Sequence, residues 1–325
     1  MSEHLPRRSF LATAAALAAL PIVGCHRRQG GRRRPRVSQR PHVAASIFPI
    51  FDLVRRIVGE TGAVELLLPP GESPYGYELD AEAQRRLPSI NLALPVGLEL
   101  DEWLDHAVRG RAWVIELGRQ VDPLFVPEEA GAGSGEEDEE ESEDELHERE
   151  GSQWQGPREA HFWLDPLRVQ TAVDVIAGAL MRLDAANARS YRANAATVRA
   201  ALSAVHARTL SRTAGWPHRS LVTLHTSLTY FAARYDLSIP AILEERPQAS
   251  IDDERMERTL EVIRGQRPAA IAYDVELDSR PAKAVAARCG LPLIAIDSLG
   301  GGPGSTYESI VDGVVSALDV VLGRA

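Results

Sequence analysis

Lysine is almost missing from this chain: of 36 basic residues only Lys283 is a lysine. That removes a phosphate-binding loop built around a lysine, and neither G-x-x-x-x-G-K nor G-x-S-x-G occurs anywhere. It also leaves a single candidate for Schiff-base chemistry. Cysteine is nearly as scarce, with only Cys25 and Cys289, so neither a disulfide framework nor a four-cysteine metal site can form. Positive charge is in deficit too: the net charge is −10, which argues against a nucleic-acid partner, because that would need a basic face. The apolar run from Leu11 to Val23 falls short of the roughly 20 residues that a membrane-spanning helix requires. What remains is ordinary for a globular protein: 325 residues, 44% hydrophobic and 25% charged, a length that suggests two domains.

The N-terminus reads as an address. Arg7 and Arg8 precede Ser9-Phe10-Leu11, then comes the short apolar run, then Gly24-Cys25. A basic start, a short apolar stretch and a small residue at the cut make a secretory signal. The paired arginines resemble a twin-arginine signal, and Ile22-Val23-Gly24-Cys25 resembles a bacterial lipoprotein box. Residues 1–25 are therefore expected to be a leader, with Cys25 the lipidated first residue of the mature chain. Cys289 then has no partner and is expected to be a buried thiol. Residues 26–41, rich in arginine with glycine and proline, read as a flexible tether close to a lipid surface.

Between 136 and 150 lie eleven acidic residues and one arginine, so nearly all the net charge sits in one segment. Like charges at that density cannot pack together, and 128–157 is expected to be a solvated insertion. Either it serves solubility, or its carboxylates and His147 collect cations weakly.

The remaining sequence alternates apolar strands with amphipathic helices, the pattern of α/β layering on parallel sheets. A first set has strands at Val43–Ile47, Val64–Leu68, Asn91–Val96 and Trp113–Leu117, with helices at Ile50–Val58 and Glu99–Val108. A second has strands at Leu221–Leu224, Ile239–Leu243, Ala269–Tyr273 and Leu293–Ile296. Its helices run up to Tyr235, over Asp253–Arg264 and Pro281–Cys289, and from about Ser305 to Leu322. Between the sets, one helix follows Pro166 to Leu183 and a second runs from Ala186 to about Leu210. In the second, Tyr191, Ala195, Val198, Leu202 and Val205 recur at spacings of four and three, which gives one apolar face. At 1.5 Å per residue that helix is about 37 Å long, enough to run the height of two lobes. The expected organisation is thus two Rossmann-like βα lobes, 42–185 and 214–325, joined by a long rigid helix at 186–213.

Two of the nine histidines stand out. His161 lies in Ala160-His161-Phe162-Trp163-Leu164-Asp165-Pro166, just ahead of a helix, and His225 sits at the carboxyl end of a strand. Asp297 follows another strand, before Gly300-Gly301-Gly302. Ligand groups in parallel α/β sheets collect beyond the carboxyl ends of strands. Two imidazoles and a carboxylate form a plausible divalent-metal set, and nitrogen ligands favour zinc over magnesium or calcium.

His161-Phe162-Trp163-Leu164-Asp165-Pro166 closely resembles a ligand motif of the metal-binding receptors of bacterial ABC importers for zinc and manganese, the cluster A-I solute-binding proteins. The loop Pro69-Pro70-Gly71-Glu72-Ser73-Pro74-Tyr75-Gly76-Tyr77-Glu78, the segment Thr223-Leu224-His225 and Asp297-Ser298-Leu299-Gly300 resemble that family's other ligand segments. The resemblance implies a cation held between the lobes by His161, His225 and Asp297, with Zn²⁺ the expected ion and Mn²⁺ the alternative. It also implies no catalysis, export across the cytoplasmic membrane, a permease and an ATPase as partners, and a monomeric receptor anchored at Cys25.

Tyr75 stands where the family has a ligand histidine. A neutral phenol is a poor zinc ligand unless the metal lowers its pKa from near 10. Three arrangements stay open: Tyr75 binds as phenolate; Glu72, Glu78 or a water completes the site; or the site is degenerate. Asp274, where the family usually has Glu, reads as a carboxylate that supports either a ligand or the fold and stays outside the ligand set. Two rival functions follow, a binding protein of this fold for another ligand or partner surface, and a zinc hydrolase with an open water position. The absence of H-E-x-x-H argues against the second.

Overall fold

The computed structural model describes residues 40–125, 158–244 and 253–324. The expected leader with Cys25, the tether up to residue 39 and the acidic segment 128–157 lie outside the described residues.

The first sheet is built from β1 (His42–Ala45), β2 (Ala63–Leu66), β3 (Leu92–Leu94) and β4 (Trp113–Val114), all parallel in the order β2-β1-β3-β4. Helix α1 (Phe48–Val58) connects β1 to β2. Pro49 suits its first turn, which needs no donor there, and Gly59 ends it at a positive φ of 56°. Its Ile50, Leu53, Val54 and Ile57 recur at helical spacing and all are buried. The short helices α2 (Ala81–Arg86) and α3 (Glu102–Val108) complete this half.

The second sheet carries β5 (Val222–Thr223), β6 (Ile271–Asp274) and β7 (Leu293–Ile296), again parallel. Its helices are α6 (Thr229–Tyr235), α7 (Asp253–Gln266), α8 (Arg280–Cys289) and α9 (Tyr307–Leu322). Between the sheets come α4 (Pro166–Leu183) and the 26-residue α5 (Ala188–Thr213). The Asp165 side chain caps α4 by accepting from Leu167 N, and Arg234 grips the same carboxylate with two bonds, at 2.8 and 2.7 Å.

Helix α5 packs along α4, α1 and α9 through the apolar face read from the sequence, with Tyr191, Val198, Leu202 and Val205 buried. One hydrophobic cluster runs through both halves, from Val43 and Leu92 to Val311 and Leu322. Smaller clusters lie under the second sheet, around Val222, Ile271 and Val285, and on the outer side of the first, around Ala44, Leu104 and Val108. No described helix is long and apolar enough to cross a membrane.

The α/β class, the parallel sheets and the long connecting helix agree with the sequence reading; three local expectations do not. The helix expected from Glu99 starts at Glu102, because Leu98 and Glu99 adopt left-handed backbone, with φ of 56° and 67°. The buried Asp101 carboxylate holds that turn by accepting from Val96 N and Gly97 N, each at 2.8 Å. The strand expected at Ile239–Leu243 is reduced to two isolated bridges, Ser220 with Ser238 and Thr223 with Ile242. Pro240 lies between them and has no N–H for a ladder. Cys289 is half-buried rather than buried, because it falls in the last turn of α8.

Candidate metal-binding site

Three side chains from distant parts of the sequence meet at one point. Tyr75 comes from the loop between β2 and α2, which is fixed by Trp103 Nε1 donating to the Pro74 carbonyl at 2.9 Å. His161 comes from the segment ahead of α4, locked by a short 3-10 turn at Phe162–Leu164. There Trp163 Nε1 donates to the Ser298 carbonyl at 2.8 Å, and Tyr307 Oη donates to the Trp163 carbonyl at 2.7 Å. Both bonds tie the His161 segment to the second half. His225 leaves the end of β5 in extended backbone and enters another short turn, Thr226–Leu228, leading into α6.

The orientation of the two rings matters more than their proximity. The His161 and His225 ring centroids are 5.2 Å apart and both residues are buried. His161 Nδ1 faces the Glu159 carboxylate, whose Oε1 also accepts from His161 N at 2.7 Å. His225 Nδ1 faces the Glu244 carbonyl at 3.0 Å. With hydrogens assigned from these acceptors, each Nδ1 is the donor, and each Nε2 points to the same place. Tyr75 Oη occupies it, 2.8 Å from His225 Nε2 and 3.4 Å from His161 Nε2. Metal-binding histidines are held in this way, with the outer N–H given to a carboxylate or carbonyl.

The electrostatics favour neutral His225. Burial, aided by the neighbouring His161, pushes its pKa down to about 4. For His161 burial acts in the same direction, but the Glu159 carboxylate outweighs it and raises the value. Burial works against the Glu159 charge, yet His161 holds that carboxyl below the usual range. Burial, reinforced by the surrounding carboxylates, raises Tyr75 well above a free phenol, so its hydroxyl stays protonated and donates.

The other sequence candidates lie elsewhere. Asp297 follows β7 and is exposed; its Oδ1 accepts from Leu299 N at 3.2 Å and Gly300 N at 2.6 Å. Glu72 and Glu78 are exposed. Among the described residues no three His, Cys, Asp or Glu side chains stand close enough together to hold one metal ion. Sequence reasoning missed Glu159 and Glu276 and gave Asp274 a supporting or structural part. Asp274 is buried at the end of β6, and Glu276 follows it two residues later. Burial raises the Asp274 carboxyl, and burial together with the Asp274 charge pushes Glu276 up to about 8. Glu159, two residues before His161, was legible in principle as a partner for its ring; nothing local marks Glu276.

Two parallel α/β halves joined by a long helix, with imidazoles presented between them, define a two-lobed α/β binding protein rather than a single-sheet domain. The family model for the periplasmic zinc-uptake complex component A matches residues 43–320, and the chain belongs to that family. Among curated relatives, the zinc-binding lipoprotein AdcA of Streptococcus pneumoniae serotype 4 is 22% identical over 94% of this chain. This chain spans only 59% of the length of that relative. The high-affinity zinc uptake protein ZnuA of Paracoccus denitrificans is 28% identical, over 75% of each chain. A crystal structure of a ZnuA deletion mutant with zinc bound superposes with a TM-score of 0.70 at 20% identity, covering 88% of this chain and all of the other. The solute-binding protein FpvC of Pseudomonas aeruginosa, in complex with Mn²⁺, gives 0.69 at 22% identity over 87% of this chain and 99% of the other. These superpositions establish the shared fold.

Proposed function

We propose that this chain is the extracytoplasmic receptor of an ABC importer, capturing a divalent transition metal as cargo and handing it to a permease driven by an ATPase. Zn²⁺ is the first choice and Mn²⁺ the second. The observation that carries this reading is the pair of imidazoles whose Nε2 atoms converge while each Nδ1 is held from outside. Nitrogen donors of this kind suit zinc, and the names of the relatives point the same way. We assign His161 and His225 as ligands; Asp297, which stands exposed and apart from them at the end of β7, is the carboxylate candidate that D297N tests. Tyr75 sits against them as a neutral neighbour. The leader, lipidation at Cys25, a membrane-tethered location and a monomeric state belong to the same proposal.

No step here needs catalysis. The residues bind the ion, orient two lone pairs and exclude water. Loading is tested by titrating Zn²⁺ and Mn²⁺ in competition into the purified body and into His161→Ala and His225→Ala. The wild type should bind one ion, and each variant should lose at least about 100-fold in affinity, beyond the loss of about 10–100-fold that removing only an outer partner of a ligand causes. Equal binding in all three would eliminate these histidines as ligands. D297N, run alongside, reports whether Asp297 joins them.

A further inference from the structure

Helix α6, into which His225 leads, holds the His161 segment on both sides of the ring. After His161, Arg234 of α6 pairs with the Asp165 carboxylate. Before it the hold is neutral and fully buried, because Tyr230, five residues after His225, reaches Glu159. The Tyr230 hydroxyl donates to the Glu159 carbonyl at 3.0 Å and accepts from Leu124 N at 2.9 Å. These roles follow from the partners, since a carbonyl can only accept and an N–H can only donate. Glu159 N closes the circuit by donating to the Leu124 carbonyl at 2.8 Å, and beside it Phe125 and Arg158 form an antiparallel bridge. Arg168 of α4 lies over the Tyr230 ring, its guanidinium 5.2 Å from the centroid, and donates to the Val121 carbonyl at 3.0 Å.

Glu159 is the residue whose carboxylate faces His161 Nδ1 and accepts from His161 N at 2.7 Å. Tyr230 therefore fixes its main chain, and its side chain fixes the imidazole. A zinc–nitrogen bond is about 2.0–2.1 Å long, so two imidazoles share one ion only if their separation is held within a narrow range. The Arg234–Asp165 pair is partly exposed and open to screening, whereas Tyr230 is fully buried and its bonds are not. We propose that Tyr230 is a positioning residue for the metal site: by holding Glu159 against α6, it keeps the His161 ring at the distance from His225 that lets one ion bridge both Nε2 atoms. This rests on the metal-receptor reading above and names the side chain that sets the spacing of its two imidazoles. Tyr230 acts through Glu159 and is not itself a ligand.

The test compares Tyr230→Phe with Tyr235→Phe. Each removes one buried hydroxyl from α6, but Tyr235 Oη faces His206 Nδ1 of α5 at 3.4 Å rather than Glu159. Zn²⁺ affinity is measured by competition titration well below the melting temperature of each protein. The visible spectrum of the Co²⁺-loaded protein reports ligand geometry at the ion. Y230F should lose about tenfold in Zn²⁺ affinity, as when an outer partner of a ligand is disturbed, and its Co²⁺ spectrum should shift. Y235F should keep the wild-type affinity and spectrum, whatever it does to the melting temperature. Wild-type affinity in Y230F would overturn the proposal, and so would a loss of affinity with an unchanged spectrum. An equal loss and shift in Y235F would overturn it as well, since any loosening of α6 would then suffice. If Y230F does not fold, Arg168→Gln decides, because it frees the same ring and the Val121 carbonyl: a shifted Co²⁺ spectrum supports the proposal and a wild-type one sinks it. A wild-type protein that binds neither ion would instead refute the receptor reading itself.

Discussion

Tyr75 stands where the sequence resemblance implies a ligand histidine, and its geometry gives that difference a consequence. The phenol hydroxyl lies between the two Nε2 atoms and donates to His225 at 2.8 Å. An ion bridging those nitrogens has to displace that hydrogen bond, whose net worth is about 1 kcal/mol. Tyr75→Phe removes the competitor without removing a ligand, and a calorimetric titration should show Zn²⁺ affinity unchanged or raised about fivefold. Tyr75→His puts an imidazole in the same loop and should raise it by at least about tenfold, since it adds a zinc ligand. A marked loss in Tyr75→Phe would mean that the phenolate is itself a ligand. At this scale the site was half legible. His161 and His225 were readable because each stands at a boundary, ahead of a helix or after a strand. Asp274 and Glu276 acquire their meaning from partners far along the chain, which no local pattern encodes, whereas Glu159 stands two residues before the ring it holds and was legible in principle.

Elements were read from periodicity, and the reading failed where a single residue overrode the period. Pro240 broke an otherwise strand-like run, and the left-handed pair Leu98 and Glu99 delayed α3 with no glycine at either position to announce it. Asp101 holds that turn at a cost that depends on pH. Burial raises its pKa to about 6, although the Ser46 hydroxyl and the Gly97 and Val96 N–H groups act in the opposite direction. In the unfolded chain the group titrates near 3.8. Between those values the folded protein keeps a proton that the unfolded chain has released. The stabilising contribution is therefore complete below about pH 4 and is lost as pH rises through 6, a fall of about 3 kcal/mol by pH 7. Urea titrations of metal-free protein from pH 4 to 7 should show a smaller decline in D101N than in wild type. Parallel curves for the two would mean that the Asp101 charge is already compensated in the fold.

At the scale of the whole molecule, the two halves share one core and are fastened where α1 meets α9. Asp52 is fully buried at that junction. Its Oδ2 accepts from Tyr307 N at 3.0 Å, in the first turn of α9, while Arg55 and Arg56 of α1 pair with the same carboxylate. Arg56 continues the network to Glu308 at 2.8 Å. By contrast, Arg208 with Asp312 and Arg212 with Asp319 join α5 to α9 at the surface, where such pairs contribute little. Because the main cluster draws residues from both sheets, metal-free protein should unfold in one transition, with secondary-structure and aromatic signals coinciding. Asp52→Ala strands the Tyr307 N–H and two arginines that are partly exposed, so its cost should be about 2–4 kcal/mol, below the full value for a buried pair. The denaturant midpoint should fall accordingly while the transition remains single. Two separate transitions in the wild type would show instead that the lobes fold independently and that α5 is only a spacer, leaving the Asp52 junction no part in keeping the His161 and His225 rings opposed.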